Sequence, residues 1–346
     1  MSRFSLDVEG DESGSETGAV GGEGEGGGAA YPVLEGRTSP VVVLVIGMAG
    51  AGKTTMMHRI NLYMNEHNKR GYYVNLDPAV LSVPFGANID IRDTVNYKEV
   101  MKQYGLGPNG AILTSLNLFA TRFDQVVTLL EKRADSLDYI FIDTPGQIEA
   151  FTWSAGGKII SELLATAFPT VVLYITDTQR CASPTTFMSN MLYACSILYK
   201  SQLPMVCVFN KTDIIPCQFA EEWVQDFEAY QLALDGDKKE EYMGTLNRSL
   251  SLVLEEFYKN IKSVGVSAME GTGIELMFTK IDEAGVEFKD VFLPDLLKRL
   301  AVQKSREDER KANDLARLTE DLKFSGGDKV VFDAKDRKAG GGGGGL

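Results

Sequence analysis

Val41-Val-Val-Leu-Val-Ile46 runs directly into Gly47-Met-Ala-Gly-Ala-Gly52-Lys53-Thr54-Thr55. A continuous β-branched run reads as a strand buried on both faces, the appearance of a strand inside a parallel sheet. The glycine-rich segment behind it fits G-x-x-x-x-G-K-[ST], and a helical pattern follows from Lys53 to about Arg70. Glycines let backbone N–H groups turn inward as a nest for phosphate oxygens, here Gly50, Ala51, Gly52 and the residues after them. The helix opening at Lys53 adds unpaired N–H groups and the positive end of its dipole. Lys53 then reaches the β- and γ-phosphates, the Thr54 hydroxyl ligates Mg²⁺, and Thr55 closes the loop. This stretch predicts a nucleoside triphosphate site.

Three later stretches decide which nucleotide. Tyr139-Ile-Phe-Ile-Asp143 reads as a strand running into Thr144-Pro-Gly146-Gln147. A carboxylate at that strand end, beside the phosphate loop, can hold Mg²⁺ through its water shell. The Gly146 N–H is placed to sense a γ-phosphate, and Gln147 stands where small GTPases carry a water-orienting glutamine. A plain strand-and-turn accounts for the proline and glycine but not for Asp143 and Gln147 together. The strand ending at Phe209 leads into Asn210-Lys211-Thr-Asp213. Guanine presents N1–H and N2–H₂ donors that adenine lacks, and the acceptor-only carboxylate of Asp213 pairs with both. Asn210 braces the loop, the Lys211 stem lies on the purine face, and Val266-Ser267-Ala268 offers a backbone N–H to guanine O6. In this order the set selects GTP over ATP.

Between its ends the chain alternates strand and helix, which means βαβ units and a mainly parallel sheet covered by helices on both faces. Further strands are expected at 72–76, 170–176 and 263–267. Helices are expected at 122–133, about 158–167, 184–199 with Ser183 as N-cap, about 219–230, 239–262 and 274–286. Residues 79 to about 118 read as irregular. Phe187, Met188, Met191 and Leu192 read as core, with the border of a hydrophobic peptide site as the rival reading. A charged helical pattern spans 294–322, with Leu315, Leu318 and Leu322 on one face, as for a helix packed on the domain edge or on a partner. Phe292 to Leu300 has the spacing of a leucine-rich export signal, which ordinary amphipathic helices share.

A chain of 346 residues with 44% hydrophobic content can bury a sizeable core, as one elaborated domain with tails. The expected organisation is a disordered acidic Gly-rich tail at 1–38, a nucleotide domain at 39–290, a charged helix at 291–324 and a disordered Gly-rich tail at 325–346. Net charge is −13, which argues against general affinity for nucleic acid or anionic membranes. Cys181, Cys195, Cys207 and Cys217 show no C-x-x-C spacing, so a reducing compartment is expected and a zinc site is not. His58 and His67 read as ordinary helix residues. No run is long enough for a membrane span, and no secretory signal is visible at the start of the chain.

The ordered set resembles the GTPases, and Gly107-Pro108-Asn109 narrows it. With Asn75-Leu-Asp77-Pro-Ala79, Gly86-Ala-Asn-Ile-Asp-Ile-Arg-Asp93 and Ser115-Leu-Asn117, the chain from Val41 to Val286 resembles the GPN-loop GTPases. That resemblance implies a P-loop fold of the SIMIBI type working as a homodimer, or a heterodimer with a GPN-loop paralogue. Pro78-Ala-Val-Leu with Gly86 to Asp93 resembles the eukaryotic branch tied to RNA polymerase II assembly and nuclear import. It implies polymerase subunits or assembly factors as partners, no direct nucleic-acid or membrane binding, and a cytoplasmic protein shuttling to the nucleus. In the family the loop enters the facing subunit's active site. Related dimeric NTPases often carry a lysine where Met48 stands, so Asn109 is the candidate to reach across. The resemblance also places Asp77 near Mg²⁺ and the attacking water, with Gln147 and Glu149 beside it; Ile89 to Asp93 reads as a switch, in which Arg92 either pairs with a carboxylate or makes a plain surface ion pair. Two rivals stand beside GTP hydrolysis. A P-loop kinase leaves Asn210-Lys-Thr-Asp213 unexplained, and a nucleotide-gated scaffold would hydrolyse only incidentally.

Overall fold

The computed structural model describes residues 39–236, Tyr258 and 261–324; the two expected tails and nearly all of the helix expected at 239–262 lie outside these residues. Strand β1 (Val41–Gly47) is followed by α1 (Lys53–Glu66) and β2 (Gly71–Asn75). Next come β3 (Ile89–Asp90), α2 (Ile91–Thr94), α3 (Tyr97–Tyr104), α4 (Pro108–Ala120) and α5 (Phe123–Arg133). Then follow β4 (Tyr139–Asp143), α6 (Ile148–Thr152), α7 (Ala155–Ala167) and β5 (Thr170–Asp177). After α8 (Pro184–Ser201) and β6 (Met205–Asn210) come α9 (Gln218–Gln225) and α10 (Phe227–Gly236). The last elements are β7 (Lys262–Val266), α11 (Ile274–Glu287) and α12 (Leu293–Phe324).

The seven strands form one sheet in the order β3-β2-β4-β1-β5-β6-β7, and every pairing is parallel. In β1, Val42, Leu44 and Ile46 join the apolar layer beneath α4, α5, α7 and α8. Val43 and Val45 join the opposite layer, under α1 and α11 with Met56, Ile60, Met277 and Phe278. Alternate side chains thus feed two separate cores, which is why these strands are apolar throughout rather than alternating. Because every strand points the same way, Gly47, Asn75, Asp143, Asp177, Asn210 and Val266 all end at one edge. In open α/β sheets that edge is where ligands bind.

Several elements depart from the sequence expectations. Residues 79–118, read as irregular, contain α2, α3 and most of α4. Their starts are signalled by short polar or proline caps: Asp90 and Asn96 accept backbone N–H bonds at Arg92 and at Lys98 and Glu99, and Pro108 occupies the first turn of α4. The expected helix at 219–230 breaks at Asp226, whose side chain accepts from the N–H groups of Glu228 and Ala229. Ser183 stands at the N-cap of α8 but makes no side-chain capping bond. Phe187, Met188 and Met191 are buried, so the core reading of that helix holds. Helix α11 passes through one π-turn (Phe288–Phe292) into α12, where Leu315 and Leu318 are exposed rather than packed on the domain. Phe292, Leu293 and Leu296 do pack against the core, so part of the export-like spacing serves burial.

Candidate active site

The phosphate loop joins β1 to α1 through two left-handed glycines, Gly50 at φ +83° and Gly52 at φ +94°. Side chains resist that conformation, and at Gly52 a Cβ would also collide with the Asn210 side-chain amide. Ala51 is buried between them, while Thr54 and Thr55 open α1 exposed at the strand edge. Lys53 is buried and its Nζ donates to Gly47 O at 2.6 Å and to Met48 O at 3.4 Å. The ammonium therefore lies along the loop's own carbonyls. Burial lowers its pKa, against the opposing charges of Asp143 and Asp77.

Asp143 ends β4 with its carboxylate buried and one oxygen, Oδ1, without a hydrogen-bond partner. Burial pushes its pKa up to about 7, with Lys53 pulling it down and Asp77 pushing it further up. An unpartnered buried carboxylate oxygen is unfavourable, and a cation beside it relieves the cost. With Asp77 close enough to be felt and the Thr54 hydroxyl exposed, this hard-oxygen donor set fits Mg²⁺.

Asp77 is held from several sides. Its Oδ1 accepts from Ala79 N at 2.9 Å and its Oδ2 from Gly146 N at 3.2 Å. Asn75, fully buried, accepts from Asp77 N and donates to Asp77 O and to Asp90. Arg92 forks onto Asp90 at 2.7–3.0 Å and reaches the carbonyls of Val80 and Leu81, so the carboxylate expected for it is Asp90. The N–H expected to sense a γ-phosphate, on Gly146, here donates to Asp77.

Gly107 caps α4, Pro108 takes its first position and Asn109 its second. The Gln147 side-chain amide donates to Asn109 Oδ1 within the same chain, joining the loop to the segment after β4. Glu149, on the first turn of α6, accepts instead from Tyr193 OH on α8 at 2.7 Å. Asp77, Gln147 and Glu149, grouped by resemblance around one water, thus each bind a different partner and make no direct hydrogen bond with one another among the described residues.

On the base side, Asn210 ties three loops together. Its Nδ2 donates to Ala51 O at 2.8 Å, and its Oδ1 accepts from Ala268 N at 3.2 Å. Asp213 accepts from Ser267 Oγ at 2.7 Å, which leaves its remaining lone pairs for donors. The N–H groups expected to meet guanine O6 have protein partners: Ser267 N donates to Thr272 O, and Ala268 N to Asn210. The tight turn after β7, closed by Gly271 N to Ser267 O, uses the first of those donors itself, and Asn210 takes the second. What Ser267 contributes is its hydroxyl. Arg59 on α1 donates to the carbonyls of Ala268 and Met269, another brace the sequence reading did not single out. Nor did it single out Asp177, one residue past the expected end of β5, which pairs with Lys211 Nζ at 2.7 Å. The signal was available, since Asp177 ends its strand as Asp143 ends β4.

Residues 45–287 match the family described as "Conserved hypothetical ATP binding protein". Among curated proteins, the chain is 57% identical over 300 residues to GPN-loop GTPase 1 of Dictyostelium discoideum, covering 86% of this chain and 75% of that protein. It is 51% identical over 288 residues to GPN-loop GTPase 1 of Saccharomyces cerevisiae, covering 81% and 75% respectively. Among solved structures, it is similar to a GTPase in apo form from Pyrococcus abyssi, with a TM-score of 0.63, 28% identity, and 72% of this chain and 98% of that one covered. The ATP in the family description and the GTPase in the relatives' names differ. The acceptor-only Asp213 carboxylate favours guanine.

Proposed function

The chain belongs to the GPN-loop GTPases and is a GTP hydrolase, and from that premise we propose that it works as a Mg²⁺-dependent dimer whose nucleotide cycle assists RNA polymerase II assembly and nuclear import. The observation that carries the nucleotide half is Asn210, bonded at once to the phosphate loop and to the loop after β7. One side chain thereby fixes the distance between the triphosphate cradle and the base pocket, a preorganisation that GTP need not supply on binding.

Thr54, Asp77 and Asp143 would hold the Mg²⁺ ion, which when bound supplies positive charge against the phosphate oxygens. The chain's own groups do the rest. The nest of Gly50 to Thr55 orients the phosphates, and Lys53 turns from its loop carbonyls toward the β- and γ-oxygens. Gln147 orients the attacking water, with Asp77 and Glu149 as the nearby carboxylates and Asn109 reaching the phosphate region of a facing subunit. Gly146 N–H exchanges the Asp77 carboxylate for the γ-phosphate, and this exchange gives the switch its two states.

The polymerase role rests on the resemblance carried by Pro78 to Leu81, of which Arg92 holds the Val80 and Leu81 carbonyls, and by Gly86 to Asp93. Shuttling from cytoplasm to nucleus follows from the same role. Purification from cells with and without a non-hydrolysable GTP analogue, with co-purifying proteins identified by mass spectrometry, tests it. Polymerase subunits or assembly factors are expected in a nucleotide-dependent set, together with a GPN-loop paralogue if the dimer is mixed. Their absence in both preparations would remove the polymerase role and leave the GTPase.

A further inference from the structure

Strand β5 ends on a carboxylate that the reaction as described does not use. Asp177 is only 7% exposed, and β6 pairs beside it in register with Asn210 opposite. Its Oδ2 receives Lys211 Nζ at 2.7 Å, with Arg180 Nε further off at 3.7 Å. Its Oδ1 accepts the N–H of Gln179 at 3.1 Å. The next residue, Thr178, donates both its backbone N–H and its hydroxyl to Asn210 O, at 3.0 and 2.7 Å. Lys211 itself sits at φ +72°, a left-handed conformation unfavourable for a side-chain-bearing residue. Something must hold it there, and the turn at 177–178 grips it from both backbone and side chain.

We propose that Asp177 is a positioning residue for nucleotide binding: it fixes the Lys211 side chain so that its aliphatic stem forms the flat wall against which the purine lies. A free lysine has a flexible four-carbon stem and loses considerable rotamer entropy when a ligand orders it. The ion pair with a buried carboxylate orders that stem before the base arrives, and charge-assisted bonds of this kind are the stronger ones. The inference rests on reading Asn210 to Asp213 as the guanine pocket.

A double-mutant cycle tests it. Affinities for GTP and ATP are measured by titration calorimetry, and steady-state GTP hydrolysis is followed, for the unaltered protein, Asp177→Asn, Lys211→Ala and the double variant. Asparagine keeps an acceptor for Gln179 N and removes the charge, so the turn is retained. Asp177→Asn is expected to weaken GTP about tenfold, raising KM by more than it lowers kcat. In the Lys211→Ala background the same change should cost less than about twofold, because the side chain it positions is gone. An equal loss in both backgrounds, or a fall in kcat with KM unmoved, overturns the proposal. If Asp177→Asn does not fold, Asp177→Glu takes its place in the cycle, with the same non-additivity expected and the same additive result overturning it. The guanine reading fails separately, if the unaltered protein binds GTP and ATP alike.

Discussion

The side-chain amide of Gln147 donates to the side-chain oxygen Oδ1 of Asn109 within one chain. The first turn of α4 and the residue after Gly146 are thereby linked without any second subunit. If Asn109 serves a facing subunit, its side chain has that contact to make beside, or in place of, the intrachain bond to Gln147. Mixing two inactive variants, Asn109→Ala and Gln147→Leu, separates the two. In a mixed dimer the Asn109→Ala subunit keeps its own Gln147 and receives a wild-type loop, so one site is complete. Recovery is expected, about half of a wild-type dimer's turnover in each mixed dimer and so about a quarter in the whole mixture, for unbiased pairing and independent sites. Tagged mixed dimers without recovery would make the intrachain bond the working contact.

Ser267→Ala should weaken GTP while leaving ATP unchanged. The hydroxyl that donates to Asp213 is lost, so the carboxylate is no longer held for the guanine donors. A loss of about 1 kcal/mol in GTP affinity is expected from one such bond. Asp213→Asn, which turns a donor toward guanine N1–H, should cost about 2–3 kcal/mol. Parallel calorimetric titrations with both nucleotides read the difference.

Gly52→Ala should damage folding and binding together. The position combines φ +94° with a direct clash against Asn210 Nδ2, the group that holds Ala51 O. Left-handed backbone strain alone costs about 1–2 kcal/mol, and the displaced Asn210 bond adds to it. The midpoint of thermal unfolding should fall, and GTP should bind more weakly in the fraction that folds. A melting curve identical to that of the unaltered protein would show that Asn210 can move aside.

Stability toward acid should depend on Asp90. Burial works to raise its pKa, but hydrogen bonds from Arg92 and Asn75 with the Arg92 charge hold it below the ordinary 3.8. The folded protein therefore binds that proton less readily than the unfolded chain. Its contribution is fully present above pH 3.8 and is lost as pH falls through the lower folded value. Unfolding midpoints measured from pH 6 down to about pH 2 should drop less steeply in Asp90→Asn than in the unaltered protein. Parallel slopes would assign the acid sensitivity to other carboxylates.

The chain's local patterns were enough to establish its fold class and the kind of nucleotide. A strand buried on both faces must be apolar throughout, and a phosphate nest must be built of glycines ahead of a helix, so both are written in consecutive residues from Val41 to Thr55. Asp143, Asn210 and Asp213 were legible because each stands at a strand's last residue or just beyond it, and parallel strands deliver their ends to one edge. Tertiary structure decided the partners. Asn210 reaches Ala51 across 159 residues of sequence, and Ser267 reaches Asp213 across 54. Asp177 meets Lys211, and Tyr193 takes Glu149, only because sheet order and helix packing bring them together. Hydrogen bonds between distant side chains leave no period or spacing in the chain. The turn after β7 spends its N–H groups on itself and on Asn210, and α12 leaves Leu315 and Leu318 in solvent, for the same reason: closure of a turn and docking of a helix are settled by what lies nearby in space.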